Sequence, residues 1–406
     1  MKFTNIDDGL NWIMQKRREH ASFEEFKEVM RMLGDPQNDF KLIHVGGTNG
    51  KGSLTCYIMN ILKSLGYKVG TLTSPHYRTH LDRIRINNDN IDQKSFLDIL
   101  NKYYAFFNEH HLSMFEMDYI IMCEYFKKEQ VDFVITEVGM GGRLDSTNVV
   151  DHPLLSIIVT IGHDHMKELG DTLEKITYEK CGIIKDDSIV LAGRIAPELL
   201  KIIKSEADRH HAEYHTLGTY QKVAAGCLKY KDEIYRLKSL ADYQLHNSAL
   251  ALEAMKILSD HGLIHYDLAK IKEGLYASEW SGRFEVVAHD PLIIIDGAHN
   301  LEGAKALKDS LANIKKSKAI IYSALKRKDY QSMLSELKGA GDIYLTTFDH
   351  KEVFDHRKAA KDNGLEYYDD LMTALNSLKD RYECIVICGS LYFLSDFITN
   401  KTEYQL

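Results

Sequence analysis

The sequence predicts an α/β protein of two domains. Short apolar runs rich in β-branched residues alternate with amphipathic helical stretches along most of the 406 residues. This pattern is typical of parallel strands that are covered by helices on both faces. The same alternation begins again near residue 291. A chain of this length is also too long for one ordinary hydrophobic core, so at least two domains are expected.

The predicted first domain opens with a strand, a helix and a second strand. Its apolar runs of strand length are residues 41–45, 69–73, 132–138, 154–161 and 188–192. Between the first two runs, apolar side chains from Leu54 to Leu65 fall on one stripe of a helix, and Gly66 follows as a helix-ending residue. This order predicts a βαβ unit and therefore a parallel sheet.

The predicted second domain repeats the alternation on a smaller scale. Its strand-like runs are residues 291–295, 319–322, 342–346 and 384–387, with helical spans near 301–314, 328–338 and 369–379. Ahead of it, residues 217–236 are polar and show no strong periodicity. We place the boundary in the segment 278–283, which predicts domains 1–280 and 281–406.

Composition excludes several classes of partner. The formal net charge is -8, and acids and bases are mixed along the chain, which argues against nucleic-acid and membrane-surface binding. The six cysteines show no CxxC pair and no zinc-like clustering, so buried free thiols in a reducing compartment are expected. With no signal-like N-terminus and no apolar run long enough to span a bilayer, we expect a cytoplasmic protein.

The most informative segment is His44-Val-Gly-Gly-Thr-Asn-Gly-Lys-Gly-Ser53. It follows a predicted strand and opens a helix, which is the context of a phosphate-binding loop. Glycines let backbone N–H groups point at phosphate oxygens, the helix N-terminus adds partial positive charge, and Lys51 adds a full charge. Ser53 is placed to bind a magnesium ion. The usual spacing would put glycine at Val45 and a hydroxyl residue at Gly52, so the loop is a variant.

Within that segment, Gly47-Thr-Asn-Gly-Lys-Gly-Ser53 resembles the phosphate loop of the folylpolyglutamate synthase branch of the Mur ligase family. Further segments resemble that branch in the same order: Thr73-Ser-Pro-His76, Leu81-Asp-Arg-Ile-Arg-Ile-Asn87, Ser113-Met-Phe-Glu116, Thr136-Glu-Val-Gly-Met-Gly-Gly-Arg-Leu-Asp-Ser-Thr-Asn148, Thr160-Ile-Gly-His-Asp-His-Met-Lys-Glu-Leu-Gly170, Glu179-Lys-Cys-Gly-Ile-Ile-Lys185, Tyr243-Gln-Leu-His-Asn247, Ser281-Gly-Arg283, Asp296-Gly-Ala-His-Asn300 and Cys388-Gly-Ser-Leu-Tyr392. The resemblance covers residues 41 to about 392. It departs from the family pattern at the N-terminus and at Tyr243, which stands where the family usually has histidine.

The resemblance implies a fold and a set of site residues. The fold is a P-loop, parallel-sheet ATP-binding domain followed by a smaller Rossmann-like α/β domain that carries the glutamate-ligase role. The implied ATP contacts are Thr48, Asn49, Gly50, Lys51, Gly52, Ser53, Asn247, Arg283 and Asp296. The implied folate contacts are Ser113, Met114, Phe115, Glu116, Leu144, Asp145 and Ser146. The implied catalytic residues are Lys51, Lys180, Arg283 and His299.

Two magnesium sites are also implied by the resemblance. The implied ligands are Ser53, Ser74, Glu137 and His165, and Lys180 is expected to be carbamylated so that it supplies oxygen to a second ion. Considered without the family, Asp164 would be a better ligand than His165, because magnesium prefers oxygen donors.

The activity implied is the ATP-dependent addition of L-glutamate to the terminal carboxylate of tetrahydrofolate through an acyl phosphate, by a monomer. A dedicated or bifunctional dihydrofolate synthase acting on dihydropteroate stays open, because both reactions use the same chemistry. Another Mur-type amide ligase is a further alternative, although the phosphate loop is the longer variant. A GTPase would need an N-K-x-D element, which the sequence lacks. A non-catalytic nucleotide-binding regulator is a further alternative, and the joint presence of Lys51, Glu137, His165, Lys180 and Arg283 argues against it.

Overall fold

The computed structural model describes residues 3–16 and 22–399, and these form two compact units. The first unit takes the described residues up to Thr219 together with Asn247–Ala277. The second takes Tyr220–His246 and the described residues from Ser278 onward. Residues 220–246, which precede the boundary placed from sequence, therefore pack with the C-terminal unit. The assignment of ATP and folate binding to residues 1–280, and of the glutamate-ligase role to residues 281–406, remains a prediction.

The strands are β1 (Leu42–Gly46), β2 (Val69–Leu72), β3 (Ile84–Ile86), β4 (Asp89–Asn90), β5 (Phe133–Glu137), β6 (Leu155–Ile158), β7 (Ile189–Ala192), β8 (Glu213–Thr216), β9 (Tyr220–Ala224), β10 (Cys227–Tyr230), β11 (Glu233–Arg236), β12 (Glu285–His289), β13 (Leu292–Asp296), β14 (Lys318–Tyr322), β15 (Asp342–Leu345), β16 (Glu366–Tyr367) and β17 (Cys384–Cys388). The helices are α1 (Ile6–Gln15), α2 (Phe23–Met32), α3 (Lys51–Ser64), α4 (Gln93–Glu109), α5 (Met114–Glu129), α6 (Met166–Leu169), α7 (Leu173–Cys181), α8 (Pro197–Arg209), α9 (Asp242–Asp260), α10 (Leu268–Ala277), α11 (Leu301–Leu311), α12 (Tyr330–Leu337), α13 (His356–Asn363), α14 (Leu371–Leu378) and α15 (Leu391–Thr399).

An eight-stranded sheet forms the centre of the first unit. Its strand order is β4-β3-β2-β5-β1-β6-β7-β8. The six strands β2-β5-β1-β6-β7-β8 pair with one another in parallel, whereas β3 pairs antiparallel with both β2 and β4. The five apolar runs predicted for this domain are confirmed as β1, β2, β5, β6 and β7. The chain leaves β1 toward β2 on one side and builds β6 and β7 on the other, so the carboxyl end of β1 lies at a topological switch point.

The second unit contains two sheets. Five strands of the order β13-β17-β14-β15-β16 are parallel, and β12 pairs with β13 in the antiparallel sense. A separate antiparallel sheet, β11-β10-β9, occupies most of the stretch that showed no periodicity. Its β10–β11 turn uses Lys231 and Asp232, both with positive φ. Short hairpins require that conformation, which asparagine and glycine adopt most readily. Lysine and aspartate at these two positions therefore do not signal a turn.

Two further expectations concern thiols and the membrane. All six cysteines are free, and five of them are buried, with Cys227 partly exposed. Within residues 3–16 and 22–399, no helix is both long and apolar enough to cross a bilayer.

Helix α3, which starts at the phosphate loop, is held in place by close contact with α10. A Cβ atom added at Gly274 of α10 would lie 2.5 Å from the Asn60 carbonyl oxygen and 2.7 Å from Ile61 Cα. Both atoms belong to the backbone of α3, which cannot move aside as the end of a flexible side chain can. The glycine therefore sets the distance between the two helices.

We predict that Gly274→Ala destabilises the protein by about 1–3 kcal/mol, as overpacking does in a close-packed interface. The gain of about 1 kcal/mol in helix propensity from alanine opposes this loss but does not exceed it. Chemical denaturation measures the difference, and Glu273→Ala on the exposed side of α10 is the matched control. A Gly274→Ala protein as stable as the control would show that the two helices separate at little cost.

Candidate active site

The phosphate loop connects β1 to α3 and depends on two glycines with positive φ. Gly47 has φ 143° and Gly50 has φ 90°, and residues other than glycine rarely adopt these values. A Cβ atom at Gly50 would lie 2.6 Å from Asn247 Oδ1. The structure therefore places Asn247, a predicted ATP contact, directly beside the loop.

The loop is fastened to the segment that follows β6. The Thr48 N–H donates to the Thr160 carbonyl at 2.9 Å, and the Asn49 N–H donates to Thr160 Oγ1 at 3.0 Å. The same hydroxyl donates to the Asn49 carbonyl at 2.9 Å, and the Gly162 N–H donates to Thr48 Oγ1 at 3.0 Å. Thr160 was not singled out from the sequence as a site residue. Its only signal is that it begins a segment typical of the family.

Two lysines meet at one carbonyl of this loop. Lys51 Nζ donates to the Gly47 carbonyl at 3.1 Å, and Lys180 Nζ from α7 donates to the same oxygen at 2.9 Å. Lys180 is only 4% exposed. Burial, followed by repulsion from Lys51, lowers the pKa of Lys180 to about 7. The charge of Lys51 and the amine of Lys180 thus lie close together where phosphate groups would approach the backbone.

Two of the predicted magnesium ligands lie at the ends of neighbouring strands. Glu137 ends β5 and is 5% exposed, and its Oε2 accepts the Ser74 N–H at 3.4 Å. Ser53 is buried in the first turn of α3. These oxygen donors are of the kind that magnesium prefers.

The fourth predicted ligand, His165, is the N-cap residue of α6 and has φ 51°. Its Nε2 lies 3.9 Å from Asp164 Oδ2, and its side chain is 45% exposed. In the parts of the chain that the structure describes, no group of three or more His, Cys, Asp or Glu side chains is arranged to hold a metal ion. The ligand set therefore remains a prediction.

The predicted folate segment at the start of α5 divides into structural and exposed parts. Ser113 and Glu116 form a capping box: the Ser113 N–H donates to Glu116 Oε2 at 2.7 Å, and the Glu116 N–H to Ser113 Oγ at 3.4 Å. Met114 belongs to the hydrophobic core. Phe115 lies against Gly139, where an added Cβ atom would be 3.1 Å from the ring.

Asp145 lies against the same glycine. The added Cβ atom at Gly139 would be 3.2 Å from Asp145 Oδ2, so Phe115 and Asp145 meet there. Leu144, the preceding predicted contact, is 70% exposed, and Ser146 begins a short 3-10 turn. Burial raises the pKa of the Asp145 carboxyl, although hydrogen bonds from Thr147 and Met140 oppose the shift. An exposed leucine, an aromatic ring and a fixed carboxylate are suited to a flat heterocycle with N–H groups.

The second unit gathers its predicted residues around Asp296 at the end of β13. Asp296 Oδ2 accepts the Tyr243 hydroxyl at 2.6 Å and the Phe284 N–H at 2.9 Å. Burial raises the pKa of Asp296, and the Arg283 charge is the largest opposing influence. His299 donates from Nδ1 to the Gly297 carbonyl at 2.8 Å. Tyr243, in place of the family histidine, thus has a specific role in orienting a predicted ATP contact.

Comparison with known proteins decides the family. The Mur ligase middle domain matches residues 45–257, and the Mur ligase glutamate ligase domain matches residues 282–391. A dihydrofolate synthase/folylpolyglutamate synthase of Bacillus subtilis is 35% identical over 97% of this chain and 98% of its own length. This chain belongs to the Mur ligase family. Within the family it belongs to the folylpolyglutamate synthase branch, as the motifs predicted, and it is an ATP-dependent amide-forming ligase.

Solved structures of Mur ligases in this branch agree with the fold. A folylpolyglutamate synthase from Mycobacterium tuberculosis, complexed with ADP and AMPPCP, has a TM-score of 0.88 at 25% identity and covers 99% of both chains. A bifunctional folylpolyglutamate synthase/dihydrofolate synthase with Mn, AMPPNP and L-glutamate bound has a TM-score of 0.87 at 25% identity, covering 98% of both chains. The predicted fold class of a parallel-sheet domain and a second α/β domain is confirmed.

We predict that Gly50→Ala lowers the affinity of this Mur ligase for ATP at least tenfold. The added methyl group would clash with Asn247, and alanine disfavours the positive φ at this position, so the phosphate loop would be displaced. Gly66→Ala, beyond the other end of α3, is the matched control, since Gly66 has φ 103° but no heavy atom within 4 Å of an added Cβ. Both changes cost about 1–2 kcal/mol of stability through positive φ. Equal ATP affinities in a nucleotide titration would show that the loop tolerates the side chain.

Proposed function

We propose that the protein uses ATP to join L-glutamate to the terminal carboxylate of tetrahydrofolate. The observation that carries the proposal is the meeting of Lys51 and Lys180 at the Gly47 carbonyl. It places the charge of Lys51 and the amine of Lys180 on a glycine loop at the carboxyl end of a parallel sheet, where phosphoryl groups bind. The names of its relatives support glutamate and folate as the other substrates.

The chemistry requires activation of a carboxylate, which is a poor electrophile. One carboxylate oxygen attacks the γ-phosphorus of ATP and releases ADP, giving an acyl phosphate. The neutral amine of glutamate then adds to the acyl carbon, and phosphate leaves as the amide forms and the amine proton is released. No covalent nucleophile on the protein is needed, so the side chains contribute positioning and charge neutralisation.

We assign these contributions as follows. Thr48 to Ser53 and Asn247 hold the phosphates and nucleotide, and Lys51 balances charge on the transferring group. Ser53, Ser74, Glu137 and His165 would hold a divalent metal ion, which supplies further charge neutralisation to the phosphates. Arg283 and Asp296 are assigned to ATP and His299 to glutamate, as the family resemblance implies.

Carbamylation of Lys180 is part of this proposal. Only an uncharged amine reacts with carbon dioxide, and a pKa of about 7 leaves roughly half of the Lys180 amine uncharged at pH 7. The carbamate that forms is an anion, which would convert a lysine repelled by Lys51 into an oxygen ligand for a second ion. We also propose a monomer in the cytoplasm.

A second acceptor is favoured by one observation. The relative from Bacillus subtilis carries both the dihydrofolate synthase and the folylpolyglutamate synthase names. Dihydropteroate also ends in a carboxylate that ATP can activate by the same chemistry, so a bifunctional enzyme needs no additional catalytic group.

The test is ADP release by purified protein with ATP, magnesium and glutamate, comparing tetrahydrofolate, dihydropteroate and no acceptor. We expect release that requires both glutamate and tetrahydrofolate, and an additional response to dihydropteroate if the enzyme is bifunctional. Lys51→Ala should lower turnover at least a hundredfold, because one oriented charge on a transferring group is worth about 3 kcal/mol. Lys63→Ala, an exposed lysine of the same helix, should not. Release that ignores every pterin would overturn the folate assignment.

A further inference from the structure

Asp145 stands at one end of a buried chain of hydrogen bonds. His44 of β1 is completely buried, and its Nε2 lies 2.8 Å from Thr147 Oγ1. The Thr147 hydroxyl donates to Asp145 Oδ1 at 2.6 Å, and the Thr147 N–H donates to the same oxygen at 3.0 Å. The other carboxylate oxygen accepts the Met140 N–H at 2.8 Å.

The protons in this chain can be placed by counting donors. A threonine hydroxyl has one proton, and Thr147 gives it to Asp145, so its oxygen must accept from His44. His44 therefore carries its proton on Nε2. Its Nδ1 is buried without a hydrogen-bond partner, which a neutral ring tolerates better than a charged one. Burial, helped by the Lys185 charge, lowers the pKa of His44 to about 3, in agreement with a neutral ring across the physiological range.

The chain fixes the carboxylate from the side of the sheet. Asp145 is 8% exposed, and its two oxygens are held by three donors that leave the group little freedom to rotate. The anchor is β1, whose residues are all buried between β5 and β6. The same strand ends at the phosphate loop, so one rigid element supports both the carboxylate and the loop.

We propose that His44 and Thr147 are positioning residues that hold the Asp145 carboxylate in the orientation that receives the N–H groups of the pterin ring. The inference rests on the proposed function, since it takes a folate or pteroate as the acceptor. In this proposal, His44 and Thr147 increase the affinity for the acceptor without touching it. They do not affect the affinity for ATP or for glutamate. A carboxylate oriented before binding loses less freedom when the ligand arrives.

The test compares Thr147→Val with Thr147→Ser. Valine keeps the shape of threonine but removes the hydroxyl, so the dissociation constant for tetrahydrofolate should rise about tenfold, the effect of one orienting hydrogen bond. Serine keeps the hydroxyl and should bind within twofold of the wild type. The KM values for ATP and glutamate should stay unchanged in both variants. Thr147→Ala removes the same hydroxyl and replaces valine if that variant does not fold.

A matched control separates positioning from general stability. Ser156 is paired in register with His44, is completely buried, and donates from Oγ to the Ile183 carbonyl at 2.8 Å. Ser156→Ala should lower the melting temperature without changing tetrahydrofolate affinity. If the wild-type protein binds tetrahydrofolate, and a folded Thr147→Val or Thr147→Ala protein binds it with the same affinity as the wild type, the positioning role alone is overturned. A wild-type protein that binds no pterin would overturn both this inference and the proposed function.

Discussion

The close packing of the glycine loop against the backbone of the segment after β6 is the constraint on which the rest of the site depends. A Cβ atom at Gly47 would lie 3.1 Å from the Thr160 nitrogen, and Gly47 has φ 143°, so glycine is the residue that suits this close approach of the two backbones. Hydrogen bonds from Thr48 and Asn49 then fix the loop on Thr160. Because that position is fixed, the Gly47 carbonyl accepts hydrogen bonds from both Lys51 and Lys180. The fixed loop also determines where α3 begins relative to β1.

Buried ionisable groups recur around the two predicted substrate regions of the first unit and at the end of β13 in the second. Burial lowers the pKa of Lys180 and raises the pKa of Asp145 and Asp296, and in each case it favours the neutral form. The carboxylates are compensated by hydrogen bonds, and Asp296 also by the charge of Arg283. Such perturbed groups concentrate at functional sites, because a charge that is partly desolvated interacts more strongly with its ligand.

Five of the eight strands in the sheet of the first unit, together with its phosphate loop, could be predicted from sequence, because continuous apolar runs and a glycine-lysine loop are local signals. The short strands β3, β4 and β8 carry no such apolar run and were not predicted. The role of Tyr243 could not, since its contact with Asp296 spans 53 residues and only folding brings them together. The hydrogen bond between His44 and Thr147 could not be predicted either. In the sequence, His44 is an ordinary residue of a predicted strand, and Thr147 is one residue of a family motif. Ser113 and Glu116 carry a signal that serves helix capping as well as binding, so the sequence alone did not separate the two roles.

The central claim is that ATP activates the carboxylate of the acceptor directly on this loop. It is tested by supplying a folate acceptor labelled with oxygen-18 in its terminal carboxylate and measuring the label in the released phosphate. The acyl phosphate places one carboxylate oxygen between carbon and phosphorus, and that oxygen leaves with phosphorus when glutamate attacks. The account therefore predicts one labelled oxygen per phosphate for each glutamate added, whereas unlabelled phosphate accompanying amide formation would contradict it.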